Sequence, residues 1–189
     1  MIYKLFFPVV WGSFVAYWCI AALWVRKIRI SEPRLMRVAY LALAAVAWGM
    51  LRARDSWLRR LDARLWPMNG TPFFVGAAFL LIGLGFAVWA RVHLGQFWSA
   101  SVAVKEDHQL IRSGPYALVR HPIYTGILTG VLGTAIAVGQ TGGLVALAVL
   151  GCGFLWKSRR EERLMIQTFG DRYVRYIQEV PALVPFLHR

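Results

Sequence analysis

The chain has 189 residues, of which 58% are hydrophobic, 14% aromatic and 16% charged. Soluble globular domains usually carry about 25% charged residues and about 45–50% apolar ones, so this composition disfavours an ordinary soluble enzyme and a disordered basic tail. The formal net charge is +13, from 22 lysine and arginine residues against 9 aspartate and glutamate residues. Such a charge is typical of nucleic-acid-binding proteins and of basic membrane proteins, and the positions of the charges distinguish the two.

The uncharged stretches of the chain have the length of membrane spans. Four of them contain no aspartate, glutamate, lysine or arginine: residues 5–25, 38–51, 65–90 and 121–156. About 20 apolar residues cross the hydrocarbon core of a bilayer. Residues 6–25 and 72–90 therefore predict transmembrane helices, and residues 35–51 predict another one in which Arg37 reaches the interface. Because the basic residues bracket these apolar stretches instead of lining one exposed face, we expect no nucleic-acid binding.

The last uncharged stretch, residues 121–156, is too long for one membrane crossing and long enough for two short ones. Its midpoint is Gly-Gln-Thr-Gly-Gly at residues 139–143, a sequence that favours a turn. We therefore expect an all-α fold, a polytopic membrane protein with about five transmembrane helices. The last two form a helical hairpin, and a further helix follows it at the C-terminus.

The charged loops predict the orientation of the chain. Five spans place the basic segments 26–37 and 91–120, and the tail from residue 157, on one side of the membrane, which the positive-inside rule makes the cytoplasm. Loop 52–70, which also carries five arginines, then lies on the opposite side. This placement departs from the positive-inside rule. An interfacial helix in the loop would explain the departure, and an apolar stripe predicts one: Trp57, Leu58, Leu61, Leu65 and Trp66. We expect an integral protein of the inner or plasma membrane.

The loop before the fourth span contains residue types that carry chemistry. Residues 113–116, Ser-Gly-Pro-Tyr, predict a turn. Arg120, His121 and Pro122 predict the start of the fourth span, because proline is favoured at the first position of a helix. These residues and Tyr124 therefore lie at the membrane surface, beside a helix N-terminus that attracts negative groups. Each residue taken singly is also typical of an ordinary membrane interface.

A second group of charged residues follows the fifth span. On a continuous helix Lys157 and Glu161 share a face, which a solvated, salt-bridged helix at a membrane exit would explain. The hairpin, however, returns this segment to the side of the membrane on which His121 and Tyr124 lie. A carboxylate near that interface requires a cationic partner. A bound cation satisfies this requirement as well as Lys157 does.

Together these motifs form a pattern that extends to the end of the chain: residues 113–126, Ser-Gly-Pro-Tyr-x-x-x-Arg-His-Pro-x-Tyr-x-Gly, then Glu161-Glu162, Phe169-Gly170, Tyr173, Tyr176 and residues 181–186, Pro-x-Leu-x-Pro-Phe. The pattern resembles the integral-membrane methyltransferases, namely the isoprenylcysteine carboxyl methyltransferases and the related phospholipid N-methyltransferases. The resemblance covers about residues 72–187, and the combined motif is highly specific. It implies a single membrane domain over residues 1–189, in which residues 1–70 supply the N-terminal spans and the interfacial helix and residues 71–189 form the methyltransferase core.

The resemblance implies S-adenosylmethionine as the cofactor, bound by a loop on the cytoplasmic side. It assigns these residues to the cofactor pocket: His108, Gln109, Leu110, Ile111, Tyr116, His121, Pro122, Ile123, Tyr124 and Glu161. The chemistry agrees, because a carboxylate such as Glu161 suits the cofactor's ammonium group and tyrosine faces attract a sulfonium. No cluster of metal ligands occurs in the sequence, and we expect no metal.

The resemblance also indicates how an acceptor is held. Relatives carry a basic residue one turn before the first glutamate, facing the substrate, and Lys157 occupies that place here, where arginine is usual. We expect Lys157 and Arg120 to be the catalytic residues, with Arg160 as a further cation that could hold an acceptor carboxylate. A carboxylate is ionised at pH 7 and requires no general base, whereas an amine requires one, for which His121 and Glu162 are the candidates.

The favoured function is therefore methyl transfer to a carboxylate of a lipid-like acceptor, isoprenoid or prenylcysteine-like, that enters from the bilayer. An N- or S-methyltransferase of the same architecture, such as a phospholipid N-methyltransferase, is one alternative. A membrane-embedded NADPH-dependent reductase is an alternative from another class. Ser101, where eukaryotic relatives carry a glutamine that touches the cofactor, is a departure from the pattern. Membrane lipids are expected partners. The oligomeric state is open, since Gly126 and Gly130 allow close helix packing within or between chains.

Overall fold

A computed structural model of the chain describes residues 2–23, 28–31, 63–66, 70–95, 103–105 and 110–187, together with six isolated positions between residues 38 and 49. The helices are α1 (Ile2–Ala21), α2 (Gly70–Leu94), α3 (Pro122–Val138), α4 (Thr141–Phe169) and α5 (Asp171–Glu179). Two short strands, β1 (Ile28–Ser31) and β2 (Ala103–Lys105), pair antiparallel, and a 3-10 turn at Gly114–Ala117 precedes α3. The all-α prediction is confirmed, with the addition of a small ribbon that the sequence did not suggest.

The described helices match the predicted spans with shifted ends. Helices α2 and α4 are long and apolar enough to cross a membrane, and α1 and α3 are apolar but contain shorter apolar segments. Helix α2 extends beyond both ends of the predicted span 72–90, whereas α1 ends at Ala21, before the predicted end at residue 25. Six positions of the predicted span 35–51 are described and all six are helical; the remainder lies outside the described residues.

The predicted hairpin is formed by α3 and α4, and its turn is tighter than expected. Only Gly139 and Gln140 separate the two helices. Gly139 has φ = +67° and ends α3 in the left-handed conformation that glycine adopts without steric cost. Helix α4 then continues unbroken from Thr141 to Phe169, so the apolar stretch and the charged residues after it belong to a single helix.

Helices α2 and α3 pack against each other through glycines. A Cβ atom added at Gly83 would lie 2.5 Å from the carbonyl oxygen of Gly126 and 2.6 Å from the amide nitrogen of Gly130. Gly76 and Gly133 face each other with equally little room two turns further along. In a membrane, small residues let helices approach closely enough for van der Waals packing of their backbones. The small residues of α3 therefore serve packing within the chain.

Helix α1 lies parallel to α2. Near their first turns, the rings of Phe6 and Phe7 contact Phe73 with centroid distances of 5.6 and 5.7 Å. Near their last turns, the Nη2 of Arg91 donates a hydrogen bond of 2.6 Å to the carbonyl oxygen of Ala21. Arg91 thus satisfies one of the carbonyl groups that the end of α1 leaves without a helical partner. The strands β1 and β2 follow α1 and α2 along the chain, and β2 approaches α4.

Residues 63–66 lie beside the turn between α3 and α4. The amide of Leu65 donates to the carbonyl oxygen of Gly139 at 2.9 Å, and Trp66 Nε1 donates to the carbonyl oxygen of Ile136 at 2.9 Å. The prediction that Leu65 and Trp66 belong to an interfacial helix is wrong, because this segment forms a short bridge with the turn. The other residues of that predicted stripe lie outside the described residues: Trp57, Leu58 and Leu61.

Candidate active site

The first turn of α3 and the charged half of α4 meet at one end of the bundle. His121 is the residue that precedes α3, which begins at Pro122. Because α3 and α4 are joined by a short turn and run antiparallel, the start of α3 faces the later turns of α4. His121 and Tyr124 therefore contact Glu161 and Glu162, and the two sequence motifs form one site.

Glu161 lies at the centre of these contacts. The hydroxyl of Tyr124 donates to its Oε1 at 2.5 Å, and Nδ1 of His121 lies 3.4 Å from its Oε2. The Glu161 side chain keeps 21% of its surface exposed. Since a carboxylate offers about four acceptor positions, Glu161 has the capacity to accept hydrogen bonds from a bound cation as well.

An aromatic stack lies beside Glu161. The Tyr124 ring is nearly parallel to the rings of His121 and Phe154, with centroid distances of 5.5 and 4.6 Å. The Nζ of Lys157 lies 5.3 Å from the centre of the Tyr124 ring. Aromatic faces attract cations. Phe154 was not predicted as a site residue, although its position seven residues before Glu161 places both on one face of α4.

Glu162 binds two cationic side chains. Its Oε1 lies 2.8 Å from the Arg120 guanidinium and 3.0 Å from Nε2 of His121. Burial by itself lowers the pKa of His121, but the hydrogen bonds and charges of Glu161 and Glu162 outweigh it and raise that pKa above its ordinary value. Each ring nitrogen of His121 faces a carboxylate, and only a protonated ring donates from both nitrogens. These contacts therefore favour the protonated ring, an imidazolium between two carboxylates.

The chain after α5 docks on the start of α3; we call residues 180–187 the C-terminal segment. The backbone amides of Arg120 and His121 donate to the carbonyl oxygens of residues 181 and 182 at 2.8 and 3.0 Å. The hydroxyl of Thr125, on the first turn of α3, donates to the carbonyl oxygen of Leu183 at 2.6 Å. The predicted motif at residues 181–186 therefore supplies backbone acceptors to donors at the start of α3.

Arg120 is surrounded by groups of the protein, and its predicted catalytic role stays a prediction. Its guanidinium binds Glu162 and donates to the carbonyl oxygens of Ile177, at 3.1 Å, and Val180. Its side chain is only 9% exposed. These partners occupy the guanidinium, so Arg120 belongs to the frame that holds the C-terminal segment. Lys157 is the cation that lies over the Tyr124 ring, one turn before Glu161.

Tyr116 is buried and tied to α5. Its carbonyl oxygen accepts a hydrogen bond of 2.6 Å from the hydroxyl of Tyr176, and its ring stacks on His93 at a centroid distance of 6.4 Å. Burial, and secondly the charge of Glu161, raise the pKa of the Tyr116 phenol well above its ordinary value, so the phenol stays neutral. Leu110 packs against the buried cluster that contains Tyr176.

The remaining residues predicted for the cofactor pocket are placed unevenly. Pro122 is fully buried as the first residue of α3, whereas Ile111 and Ile123 are half-buried. His108 and Gln109 lie outside the described residues. The contribution of these positions to a cofactor pocket stays a prediction. Thr125 and His93, which hold the C-terminal segment and the turn before α3, were not predicted at all; Thr125 lies within the recognised motif and could have been included.

Comparisons with known proteins found relatives that match more than half of the chain. The protein-S-isoprenylcysteine O-methyltransferase of Schizosaccharomyces pombe is 37% identical over 112 residues, which cover 58% of this chain and 48% of that protein. The cobalt-zinc-cadmium resistance protein CzcN of Cupriavidus metallidurans is 27% identical over 154 residues, covering 74% of this chain and 70% of that protein. The chain thus spans about half the length of the S. pombe relative.

A solved structure shares the fold. The eukaryotic intramembrane Ras methyltransferase ICMT (isoprenylcysteine carboxyl methyltransferase) superposes with a TM-score of 0.56 at 24% sequence identity, covering 79% of this chain and 53% of that chain. This likeness shows a membrane fold of the same kind. The family model described as phospholipid methyltransferase matches residues 71–172, which include α2, α3, α4 and both site motifs. The chain belongs to the phospholipid methyltransferase family.

Proposed function

We propose that this protein is an S-adenosylmethionine-dependent membrane methyltransferase that esterifies a carboxylate of a lipid-like acceptor, isoprenoid or prenylcysteine-like. The observation that carries the proposal is the grouping of Glu161, Tyr124 and Lys157. It combines a carboxylate that can accept a cation, an aromatic face and a cation that can hold a second carboxylate. The names of the relatives, protein-S-isoprenylcysteine O-methyltransferases among them, support the reaction.

The residues of the site fit the cofactor. S-adenosylmethionine would supply an electrophilic methyl group, whose bond to sulfur breaks as a bond to the acceptor oxygen forms. Glu161 would bind the cofactor's ammonium by a charge-assisted hydrogen bond. Tyr124 and Phe154 stack on each other, and an aromatic face of this stack that is turned away from the contact would favour a sulfonium beside it, an attraction of about 0.5–2 kcal/mol. The predicted pocket residues complete the proposal: His108, Gln109, Leu110, Ile111, Tyr116, His121, Pro122 and Ile123.

Lys157 would hold the acceptor. It follows Trp156, a half-exposed tryptophan of the kind that marks the membrane interface, and lies one turn before Glu161 on the same helix. An acceptor whose tail lies in the bilayer would therefore bring its polar group to the level of Lys157 and Glu161. Because a carboxylate is already ionised at pH 7, the protein needs only to orient it and exclude water.

An amine acceptor is the second candidate, since the matching family is described as phospholipid methyltransferase. Methylation of a protonated amine requires a general base. The two residues considered for that task are both engaged: the two carboxylates beside His121 favour its protonated form, and Glu162 accepts from Arg120 and His121. The geometry therefore favours the carboxylate acceptor.

We further propose that the site faces the cytoplasm of a cell whose inner or plasma membrane holds the protein. The basic segments that adjoin this end of the bundle support this orientation through the positive-inside rule. Residues 71–189 would form the catalytic core, which includes the family match at residues 71–172. Residues 1–70 would complete the membrane domain.

The cofactor class can be tested by titrating the purified, detergent-solubilised protein with S-adenosylhomocysteine and, separately, with NADPH. We expect S-adenosylhomocysteine to bind and NADPH not to bind. The opposite result would replace the methyltransferase by a membrane reductase.

The acceptor class can be tested with radiolabelled S-adenosylmethionine and three acceptor types: prenylcysteine analogues, isoprenoid and fatty acids, and phosphatidylethanolamine. Methyl esters release methanol in alkali, whereas N-methyl products do not. We expect alkali-labile label in a carboxylate acceptor, and none with Glu161→Ala. Alkali-stable label confined to phosphatidylethanolamine would assign the chain to the second candidate.

A further inference from the structure

Glu161 and Glu162 both contact the ring of His121, but at different distances. Nε2 of His121 lies 3.0 Å from Glu162, whereas Nδ1 lies 3.4 Å from Glu161. Glu162 also accepts from Arg120 and is the less exposed of the two carboxylates, at 15% against 21%. Arg120 and the nearer nitrogen of His121 thus bind Glu162, whereas Glu161 has the farther nitrogen, the Tyr124 hydroxyl and the charge of Lys157 as its partners. The weaker hold of Glu161 on His121 leaves it able to bind another cation.

Arg120 connects Glu162 to the C-terminal segment. Its guanidinium binds Glu162 and reaches the carbonyl oxygens of Ile177 and Val180, at the end of α5 and the start of the segment. The rigid fork of a guanidinium can hold a carboxylate and carbonyl groups at the same time, which a lysine ammonium does less well. One guanidinium therefore links Glu162 to the end of α5 and the start of the C-terminal segment.

We propose that Arg120 and Glu162 are positioning residues that couple docking of the C-terminal segment to cofactor binding at Glu161. This inference rests on the proposed function, because it takes Glu161 as the carboxylate that binds the cofactor. In the docked state Arg120 fixes Glu162, and Glu162 holds His121. When the segment leaves, Arg120 loses its carbonyl partners and the imidazolium moves toward Glu161, where it competes with the cofactor's ammonium.

Such coupling is reciprocal: if docking strengthens cofactor binding, cofactor binding strengthens docking by the same factor. Docking can be measured by trypsin cleavage after Arg172 and Arg175, exposed residues of α5, the helix that leads into the C-terminal segment. In the native protein we expect saturating S-adenosylhomocysteine to slow this cleavage by roughly tenfold, a typical coupling factor.

Three variants test the coupling. Glu162→Gln keeps an acceptor oxygen but removes the charge, and Arg120→Gln removes the fork. We expect each to weaken S-adenosylhomocysteine binding by roughly tenfold and to abolish the ligand-dependent protection from trypsin. Thr125→Val removes a hydroxyl that donates to the carbonyl oxygen of Leu183 at 2.6 Å and lies 3.2 Å from that of His121, and it touches neither carboxylate. It should weaken binding and protection together, by a smaller and equal factor.

A matched control and a spectroscopic readout separate positioning from general stability. Glu179→Gln removes an exposed carboxylate of α5 that pairs with Arg112, and it should leave ligand affinity unchanged. In protein labelled at histidine Cε1, the NMR titration of His121 should move to lower pH in Glu162→Gln, because one of its two carboxylate partners has lost its charge. It should not move in Glu179→Gln.

The outcomes distinguish this inference from the proposed function. If the native protein fails to bind S-adenosylhomocysteine, the proposed function is wrong, and a coupling between docking and cofactor binding is wrong with it. If the native protein binds and both Glu162→Gln and Thr125→Val retain full affinity and protection, the coupling is overturned while the function stands. If Glu162→Gln does not fold, as judged by circular dichroism, Thr125→Val decides by itself.

Discussion

Helix α3 is held in two different ways along its length. At Gly126 and Gly133 it contacts the backbone of α2 directly, and at Gly130 it packs against the side chains of Leu80 and Leu84. At its first turn it is held by charged and polar groups: Arg120, His121 and Thr125 reach Glu162 and the C-terminal segment. The first region depends on shape and the second on charge. The difference teaches that the membrane frame and the site can be perturbed separately, although they share one helix.

The largest expected effect comes from a single methyl group in the first region. Gly83→Ala places a Cβ atom 2.5 Å from the carbonyl oxygen of Gly126, where backbone rather than a flexible side chain must move. We expect a loss of about 3 kcal/mol in the free energy of unfolding, at the upper end of overpacking. Thermal unfolding in detergent measures it.

Gly85→Ala is the matched control, two residues away on the same helix, because nothing lies within 4 Å of a Cβ atom there. Alanine has the higher helix propensity, by about 1 kcal/mol, so this variant should be as stable as the native protein or more stable. Equal destabilisation by both variants would contradict the close contact between α2 and α3.

The next effect should be confined to the second region. Glu161→Ala removes the carboxylate proposed to bind the cofactor's ammonium, an interaction of about 1.5–3 kcal/mol. S-adenosylhomocysteine affinity, measured by calorimetry, should fall by about 10–100-fold while the helical content is kept. An unchanged affinity would return Glu161 to an ordinary ion-pairing role with His121.

A smaller effect is expected at the acceptor side. Lys157→Gln should raise the KM for a carboxylate acceptor by about tenfold, or about 1.4 kcal/mol, and leave cofactor affinity within about twofold. Lys157→Arg should restore the KM, because a guanidinium binds a carboxylate with two hydrogen bonds. Arg159→Gln, on the exposed side of α4, is the control that should change neither value. A cofactor defect in Lys157→Gln would instead place Lys157 at the cofactor.

The smallest predicted effect is a pH dependence of stability that belongs to the second region. Glu161 and Glu162 raise the pKa of His121, with Arg120 and Lys157 as the neighbouring cations. A raised histidine pKa contributes stability that is fully present below the unfolded value, about 6.5, and is lost as pH rises through the folded pKa. The melting temperature should fall over that range in the native protein and be flatter in His121→Gln. A fall of the same size in both would assign the dependence to other groups.

Local patterns in the sequence were sufficient to locate the apolar helices α1, α2, α3 and α4. Uncharged stretches located α1, α2 and the α3–α4 hairpin, and the glycines at residues 139–143 located its turn. Proline at residue 122 located the start of α3. Because an antiparallel hairpin returns the chain to the side it came from, the contact between the Arg-His-Pro motif and the paired glutamates also follows from sequence.

The hydrogen-bond partners of individual side chains could not be predicted from the sequence. Arg120 looks like an anion-binding residue in the sequence, and it does bind the Glu162 carboxylate. Its further partners are the carbonyl oxygens of residues 177 and 180, and backbone acceptors leave no trace in residue identity. Leu65 and Trp66 fit an apolar helical stripe, yet their hydrogen bonds go to Gly139 in the turn and to Ile136 at the end of α3, at least 70 residues later in the chain. The strand Ile28–Ser31 pairs with residues of another loop, and its four residues are too few for a periodic signal.

Because α4 is continuous, it fixes the distance between Trp156, a residue type typical of the membrane interface, and Glu161 in the candidate site. The helix has 29 residues, and Glu161 lies five residues beyond the half-exposed Trp156, which corresponds to about 7 Å along the helix axis. Because both residues belong to one continuous helix, the proposed function would place the reacting group of an acceptor at that height above Trp156. Under the proposed function, the distance between the apolar tail of an acceptor and its reacting group would then decide which acceptors are used, more than the identity of the tail.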